Sequence, residues 1–272
     1  MPEIIEAEIT RQKLAPALKG RRILKFTTDC PRGFVSEKKI WQRGIPSLKN
    51  LEITGMSRKG KVVVLNIKGG KVIGIHQRMS GHIAFNNSHV ASKHSHFIFE
   101  MDNKKSFSLV DPRKFGIVWY GSEKWFGQQP YIKKLGKDAM KINEKDFVKV
   151  FEGAGRASVK SFLLRQDKIA GLGNIACDET LWHARLNPAA KVCDLTDTQL
   201  RGAHKSMKKI LVDLLRYGGT SMSDWLHPDG SKGNYQNKFK IYKRQKCRRC
   251  SSQVKYIKVA GRGTYFCPKC QK

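Results

Sequence analysis

The sequence has little acid and no long apolar run, and each shortage excludes a class of protein. Only 22 Asp and Glu accompany 53 Lys and Arg, so the formal net charge is +31 over 272 residues. No stretch approaches about 18 consecutive apolar residues, the length that a membrane helix needs. The acidic start also lacks the basic and then apolar layout of a signal peptide. We therefore expect a protein of the cytoplasm, or of the nucleus in a eukaryote, with no membrane partner.

The cysteines are too few and too unevenly placed for a disulfide framework. Three of the seven are scattered, and the other four form CRRC and CPKC, sixteen residues apart, within the last 26 residues. Two such pairs at this separation are typical of a tetrahedral zinc site, and four protein ligands leave no position for a reactive water. The alternative is a pair of redox dithiols. The spacing predicts one structural Zn²⁺ held by Cys247, Cys250, Cys267 and Cys270.

What the sequence has in abundance is positive charge, and that points to a polyanionic partner. Lys and Arg displace the counterions of a phosphate backbone, which makes nucleic acid the first candidate. Ribosomal and membrane-surface proteins share this balance, so the charge gives a class of partner and no activity. The apolar content of 40% is ordinary for a folded protein, and the length suits about two domains.

Hydrophobic patterning predicts two regions of different structure. From about residue 20 to 120, short alternating runs are separated by the turns KGGK and MDNKK, which favours a mostly antiparallel sandwich or barrel. Ile4, Ile5, Ile9 and Leu14 precede it at helical spacing. From about residue 130 the pattern becomes helical, and the longest helix begins at a Thr-x-x-Gln capping box. The fold class is therefore α+β.

Seven motifs occur in order along nearly the whole chain: MPE, SRKGK, HQRMSG, KHSHF, DPRKFG, IAGLGNIACDE and KVAGRGTYFCPKCQK. Together they resemble the formamidopyrimidine-DNA glycosylases of the Fpg/Nei group. The resemblance implies an N-terminal β-sandwich domain with an opening helix at 1–130 and a helical helix-two-turn-helix domain at 131–243. It also implies a lesion-capping loop at 220–240 and a zinc finger at 244–272.

The same resemblance implies a bifunctional DNA glycosylase and AP lyase of base excision repair. Its partner would be double-stranded DNA with oxidised bases or abasic sites, and it would act as a monomer. The loop at 220–240 resembles that of the branch that prefers 8-oxoguanine and formamidopyrimidines. The alternatives are the branch for oxidised pyrimidines, a non-catalytic zinc protein that binds nucleic acid, and a ribosome-associated protein.

The resemblance places the chemistry at the amino terminus. Removal of Met1 would give Pro2 a free secondary amine, and α-amino groups titrate near 8, closer to neutrality than lysine. Pro2 would attack C1′ of the damaged nucleotide, with Glu3 as the acid and Glu6 in support. The competing interpretation is that both glutamates only stabilise the first turn of a helix. Ile4 and Ile5 stand where the family usually has a proline, which puts the position of Glu6 in doubt.

Further residues are carried over as contacts to the DNA backbone. Lys61 and Arg262 match family residues that contact phosphate at the catalytic site, and arginine is the usual bidentate phosphate ligand. Asn174 stands at a turn into a helix, where amides bind phosphate. His76 could also contact phosphate, whereas His94 and His96 are read as structural. For Lys61 the competing interpretation is a solvated lysine.

Met79, Arg113 and Phe115 match the three residues that fill the space left by an everted base. Arg113 would pair with the orphaned base, and the two apolar side chains would wedge the stack. The competing interpretation for Met79 and Phe115 is burial in the core. A second departure from the family lies in the zinc finger, where Ser251 replaces the usual glycine after CRRC.

Overall fold

The computed structural model describes residues 2–37, 46–86 and 92–272, and these form two compact units. The first consists of residues up to 133 together with 218–234, and the second of 134–217 and 235–272. Among the described residues, none of the helices combines the length and the apolar character that a bilayer span needs. The division predicted at 130 and 243 is a finer one that remains a proposal.

The first unit begins with a helix and continues as a sheet. Its helices are α1 (Ile4–Leu18), α2 (Glu123–Gly127) and α3 (Pro130–Lys133). Its strands are β1 (Arg22–Thr28), β2 (Phe34–Ser36), β3 (Leu51–Lys59), β4 (Val62–Ile67), β5 (Lys71–His76), β6 (His82–Phe85), β7 (Ser95–Met101), β8 (Ser106–Val110) and β9 (Ile117–Ser122).

One continuous sheet has the strand order β2-β9-β5-β4-β3-β1-β7-β8-β6. Neighbours are antiparallel except β2 and β9, and both expected hairpins, β4–β5 and β7–β8, are present. Both halves of the sheet contribute to a single apolar cluster, which includes Val63 and Ile75 from one half and Phe99 and Leu109 from the other. The predicted sandwich is thus two layers of one sheet around a shared core.

Helix α1 belongs to that core. Ile4, Ile5, Ile9 and Leu14 are all buried, as the apolar spacing predicts. Ile4 is the first residue of the helix, so the missing proline does not delay its start. The acids of the first two turns are buried as well, because Glu3, Glu6 and Glu8 are each less than 9% exposed.

The second unit is helical and ends in the cysteine-rich hairpin. Its helices are α4 (Glu144–Phe151), α5 (Val159–Leu163), α6 (Asn174–His183) and α7 (Asp197–Arg216), and its strands are β10 (Lys137–Asp138), β11 (Ile169–Ala170), β12 (Lys255–Val259) and β13 (Arg262–Phe266). Helix α7 begins at the predicted capping box, in which Thr196 and Gln199 cap each other. Short 3₁₀ turns occur at Pro31–Gly33, Val192–Asp194 and Tyr235–Lys238.

Candidate functional site

The start of α1 holds Pro2 and Glu3 in a buried position. Glu3 is the N-cap residue, and its backbone N–H donates to Glu6 Oε2 at 2.8 Å. Oε1 of Glu6 accepts from the backbone N–H and the hydroxyl of Thr220, at 2.9 and 3.0 Å. Both oxygens of Glu6 are therefore occupied by neutral donors, so this carboxylate positions the terminus and Thr220 beside it.

Thr220 begins a segment that is fixed to the sandwich at several points. Trp225 is buried and donates its indole N–H to Gln77 Oε1 at 3.1 Å. The backbone N–H of Phe85 donates to Pro228 O at 2.8 Å, and Lys13 pairs with Asp229 at 2.6 Å. The expected lesion-capping loop is thus an ordered chain between 220 and 234, and Met222 within it is 41% exposed.

Glu8 links α1 to the turn that carries Lys61. Its Oε2 accepts from Arg58 Nε at 3.0 Å, and Arg58 in turn donates to the carbonyl of Gly60 at 2.7 Å. Burial alone would raise the pKa of Glu8, but hydrogen bonds from Arg11 and Arg58 outweigh it and hold the pKa below its ordinary value. Gly60 has φ +55°, which glycine tolerates, and Lys61 follows it immediately before β4.

His76 ends β5 and is a buried, neutral residue. Burial, followed by the nearby charges of Arg78 and Lys61, lowers its pKa to about 3. Its Nδ1 accepts from the Arg78 backbone N–H at 2.9 Å, so Nε2 carries the proton and faces the Tyr131 hydroxyl at 3.2 Å. Both ring nitrogens have partners within the protein. A phosphate contact from His76 stays a prediction, and the positive charge of this region belongs to its neighbours.

Met79, Arg113 and Phe115 lie on two exposed loops of the first unit. Met79 is 40% exposed and Phe115 is 49% exposed, so the interpretation that they are core residues is wrong. The Arg113 guanidinium lies 4.6 Å from the centre of the Phe115 ring. An exposed methionine and an exposed phenylalanine with a stacked arginine have the chemistry of a wedge that enters stacked bases.

Asp111 organises the loop that carries Arg113 and Phe115. Its carboxylate is 1% exposed, and Oδ2 accepts from the backbone N–H groups of Phe115 and Gly116, both at 2.7 Å. Oδ1 accepts from the Ser80 hydroxyl at 2.6 Å. The motif DPRKFG pointed to the arginine and the phenylalanine, and only the structure identifies the aspartate as their organiser. An Asp before a proline at a strand end was the available signal.

Asn174 and Arg262 belong to the second unit. Arg262 is exposed at the start of β13, directly after a turn in which Ala260 and Gly261 both have positive φ, the geometry of a type I′ turn. Asn174 is the first residue of α6, and its Nδ2 donates to the Gly263 carbonyl at 2.9 Å. The structure therefore brings Asn174 against the arginine-bearing hairpin.

A buried ion pair, which the sequence analysis missed, anchors the same hairpin. Lys160 Nζ lies 2.6 Å from Asp178 Oδ1, and both side chains are fully buried. Lys160 also donates to the Gly263 carbonyl at 3.0 Å, and Asp178 Oδ2 accepts from the Tyr265 backbone N–H at 3.0 Å. Burial raises the pKa of Asp178 to about 6, against the opposing effect of Lys160. The only signal in the sequence was the presence of Asp178 in the quoted motif.

The four predicted zinc ligands converge. Their sulfur atoms all lie within 4.8 Å of one another, with Cys247 to Cys270 at 4.0 Å and Cys250 to Cys267 at 3.5 Å. A tetrahedral Zn²⁺ with bonds of about 2.3 Å would hold its sulfurs about 3.8 Å apart, which these two distances bracket. The residues fit one structural zinc. Ser251 after the first pair has φ +58° and so occupies a conformation that glycine adopts more easily.

Comparison with known proteins agrees with this geometry. The formamidopyrimidine-DNA glycosylase N-terminal domain matches residues 1–118, the H2TH domain of the same enzymes matches 135–225, and the zinc finger found in FPG and IleRS matches 244–272. The chain belongs to the formamidopyrimidine-DNA glycosylase family.

Individual relatives match over the full length. The formamidopyrimidine-DNA glycosylase of Listeria monocytogenes is 31% identical over all of both chains, and that of Lactobacillus delbrueckii subsp. bulgaricus is 33% identical over all of both. Among solved structures, Lactococcus lactis Fpg in complex with DNA containing an abasic site is 30% identical, with a TM-score of 0.87 over 99% of each chain. The MutM (FPG) protein of Thermus thermophilus is 27% identical, with a TM-score of 0.88 over 99% of this chain and 98% of that one.

Membership in this family accounts for the excess of positive charge. The family consists of base-excision repair enzymes with glycosylase and AP-lyase activity, and the partner is DNA. The zinc finger and the sandwich predicted from the sequence are confirmed. The roles of individual residues remain predictions, and the geometry above sorts them. Glu6, Glu8, Asp111 and Asp178 are acids that hold the framework in place.

Proposed function

We propose that this chain excises oxidised purines from double-stranded DNA and then cuts the strand, using Pro2 as the nucleophile. The observation that carries the proposal is the full-length match to relatives that are each a formamidopyrimidine-DNA glycosylase. A complex of Lactococcus lactis Fpg with Fapy-dG DNA, 30% identical over all of both chains, supports the purine assignment. The proposed location is the bacterial cytoplasm, with the chromosome as substrate, and the proposed active form is a monomer.

The proposed reaction begins after Met1 has been removed. The amine of Pro2 forms a bond to C1′ as the glycosidic bond breaks, and the departing base takes up a proton. The amine loses its own proton, which leaves an iminium ion at C1′. This electron sink makes the C2′ hydrogen acidic, so successive β- and δ-eliminations expel the 3′ and 5′ phosphates. Water then hydrolyses the iminium to free the enzyme from the remaining sugar fragment.

Glu3 is the proposed acid and base of these steps. It adjoins Pro2 and is 4% exposed, so a carboxyl group is held next to the nucleophile with little access to water. Glu6 would support it from below by holding the Glu3 backbone N–H. The proposed role of Glu6 is thus positional, because both of its oxygens already accept hydrogen bonds from Glu3 and Thr220.

The proposed DNA contacts have distinct tasks. Lys61, Asn174 and Arg262 would bind backbone phosphates, and the exposed Met79 and Phe115 would occupy the gap that an everted base leaves. Arg113 would face the orphaned partner base. His76 would act through the Arg78 backbone that it holds, since its ring is neutral at physiological pH.

Lesion preference is the part of the proposal most open to a direct assay. Duplexes carrying a single 8-oxoguanine or a single thymine glycol are compared for strand nicking under single-turnover conditions. Faster cutting of 8-oxoguanine supports the assignment, and faster cutting of thymine glycol contradicts it. The second candidate, oxidised pyrimidines, is favoured by one observation. Lactococcus lactis Fpg, 30% identical over all of both chains, has been crystallised with DNA containing an oxidised pyrimidine.

A further inference from the structure

We infer that Ser80 and Asp111 are positioning residues that join the two wedge loops, 77–81 and 111–116, into one mechanical unit. This inference rests on the proposed function, because it concerns the residues that would enter the DNA. The Ser80 hydroxyl donates to Asp111 Oδ1 at 2.6 Å, and the two side chains are 5% and 1% exposed. A hydrogen bond of a hydroxyl to a buried carboxylate is of the strong, charge-assisted kind.

The loop 111–116 has no regular secondary structure and is shaped by one carboxylate. In addition to the two bonds at Oδ2, Oδ1 accepts from the Arg113 backbone N–H at 3.3 Å. The backbone N–H of Lys114 donates to the Asp111 carbonyl at 3.0 Å, and Lys114 has φ +54°. Such a conformation is unfavourable for lysine and persists only where the surroundings hold it. The orientation of Phe115 therefore depends on Asp111.

The loop 77–81 is held just as tightly on its own side. The Gly81 backbone N–H donates to the Gln77 carbonyl at 3.0 Å, and a Cβ on Gly81 would lie 2.4 Å from that oxygen. Arg78 has φ +57° with its N–H bound to His76. Met79 is thus the exposed tip of a tight turn, and the next residue, Ser80, carries the link to the second loop.

The arrangement puts a buried link directly behind two exposed apolar side chains. A wedge must oppose the free energy of unstacking a base step, which is a few kcal/mol, and a side chain that yields cannot do so. With Ser80 bound to Asp111, a force on Met79 is borne by both loops. Loss of this bond would leave each loop to resist alone, and base eversion would slow.

The experiment compares a substrate that needs the wedge with one that does not. Ser80→Ala is assayed under single-turnover conditions on a duplex containing 8-oxoguanine and on a single-stranded oligonucleotide with a preformed abasic site. We expect excision from the duplex to slow about tenfold, the scale of one charge-assisted hydrogen bond, and cleavage of the single strand to change less than about twofold. Equal slowing on both substrates, or none on either, would overturn the inference.

A matched control separates the link from a general loss of packing. The Ser108 hydroxyl is also buried and donates to Ser95 at 3.2 Å, away from both wedge loops. Ser108→Ala should leave the ratio of the two rates as in the wild type. If Ser108→Ala lowers that ratio as much as Ser80→Ala does, the effect is one of stability and the inference fails.

A double-mutant cycle tests whether the link acts through the wedge. In a Met79→Ala background, Ser80→Ala should slow duplex excision less than about twofold, because the group it supports is gone. A full tenfold effect in that background would contradict the inference. The proposed function fails separately, if the wild type cuts neither substrate. Wild-type cutting of both with no effect of Ser80→Ala sinks the inference alone.

Discussion

Replacement of Ser251 with glycine should tighten the hold of the zinc finger on its metal. Ser251 has φ +58°, and this conformation is fixed by its backbone N–H, which donates to the Cys247 carbonyl at 2.9 Å. The left-handed conformation costs an L-residue about 1–2 kcal/mol. Glycine avoids that cost but loses about 0.5–1 kcal/mol through its greater freedom in the unfolded chain. The expected net gain is about 0.5–1 kcal/mol.

Because folding and metal binding are coupled in a small zinc module, the gain should appear as zinc affinity. A gain of this size corresponds to about two- to fivefold tighter binding. The assay is competition for zinc with a chromophoric chelator, followed at equilibrium. Ser251→Ala is the control, since it removes the hydroxyl but keeps the strained conformation and should bring no gain. Affinity in Ser251→Gly equal to or below the wild type would refute the reasoning.

Three other predictions concern buried charge. Lys160→Met should destabilise the protein by about 3–5 kcal/mol in urea unfolding, because it leaves Asp178 buried without its partner; a loss below about 1 kcal/mol would contradict this. Glu6→Gln should cost about 1–3 kcal/mol, since an amide N–H₂ must face a backbone donor, and unchanged stability would refute it. Because the pKa of His76 is lowered to about 3, the unfolded chain binds the proton first, and stability should fall as pH drops below about 6.5. At pH 5 that loss is about 2 kcal/mol relative to His76→Asn, and parallel pH profiles of the two proteins would contradict it.

The architecture was open to prediction because periodic patterns and ligand spacing are local. The alternation around KGGK and MDNKK gave the hairpins, and the spacing of the CRRC and CPKC pairs gave the convergent sulfurs. The continuity of the nine strands was not predictable, since it depends on β1 pairing with both β3 and β7 across long stretches of sequence. Register between distant strands is set by tertiary packing.

The buried acids were the main features that sequence reasoning could not assign. In a chain with few acids, Glu8, Asp111, Asp178 and Glu179 look like surface charge until their partners are known. Glu179 accepts hydrogen bonds from the backbone N–H groups of residues 240–242, and burial raises its pKa against their effect. These partners are 50 residues away for Glu8 and 61 or more for Glu179. No local pattern reports such contacts.

The exposed wedge residues show the opposite case. Methionine and phenylalanine are commonly buried, so composition favours the core for Met79 and Phe115. The motif order placed them at the DNA instead, and their exposure of 40% and 49% agrees with that interpretation. Exposure of this kind comes from the loops around Ser80 and Asp111, which direct polar groups inward and leave the apolar side chains outside.

The central claim, that the amine of Pro2 forms the covalent link to DNA, is tested by reductive trapping. Wild-type protein, Pro2→Gly and Glu3→Gln are each incubated with abasic-site DNA and borohydride, and intact mass establishes whether Met1 is absent. The account predicts a one-to-one protein–DNA adduct for the wild type that maps to Pro2. Failure of protein lacking Met1 to form that adduct, or its formation at a lysine, would contradict the account.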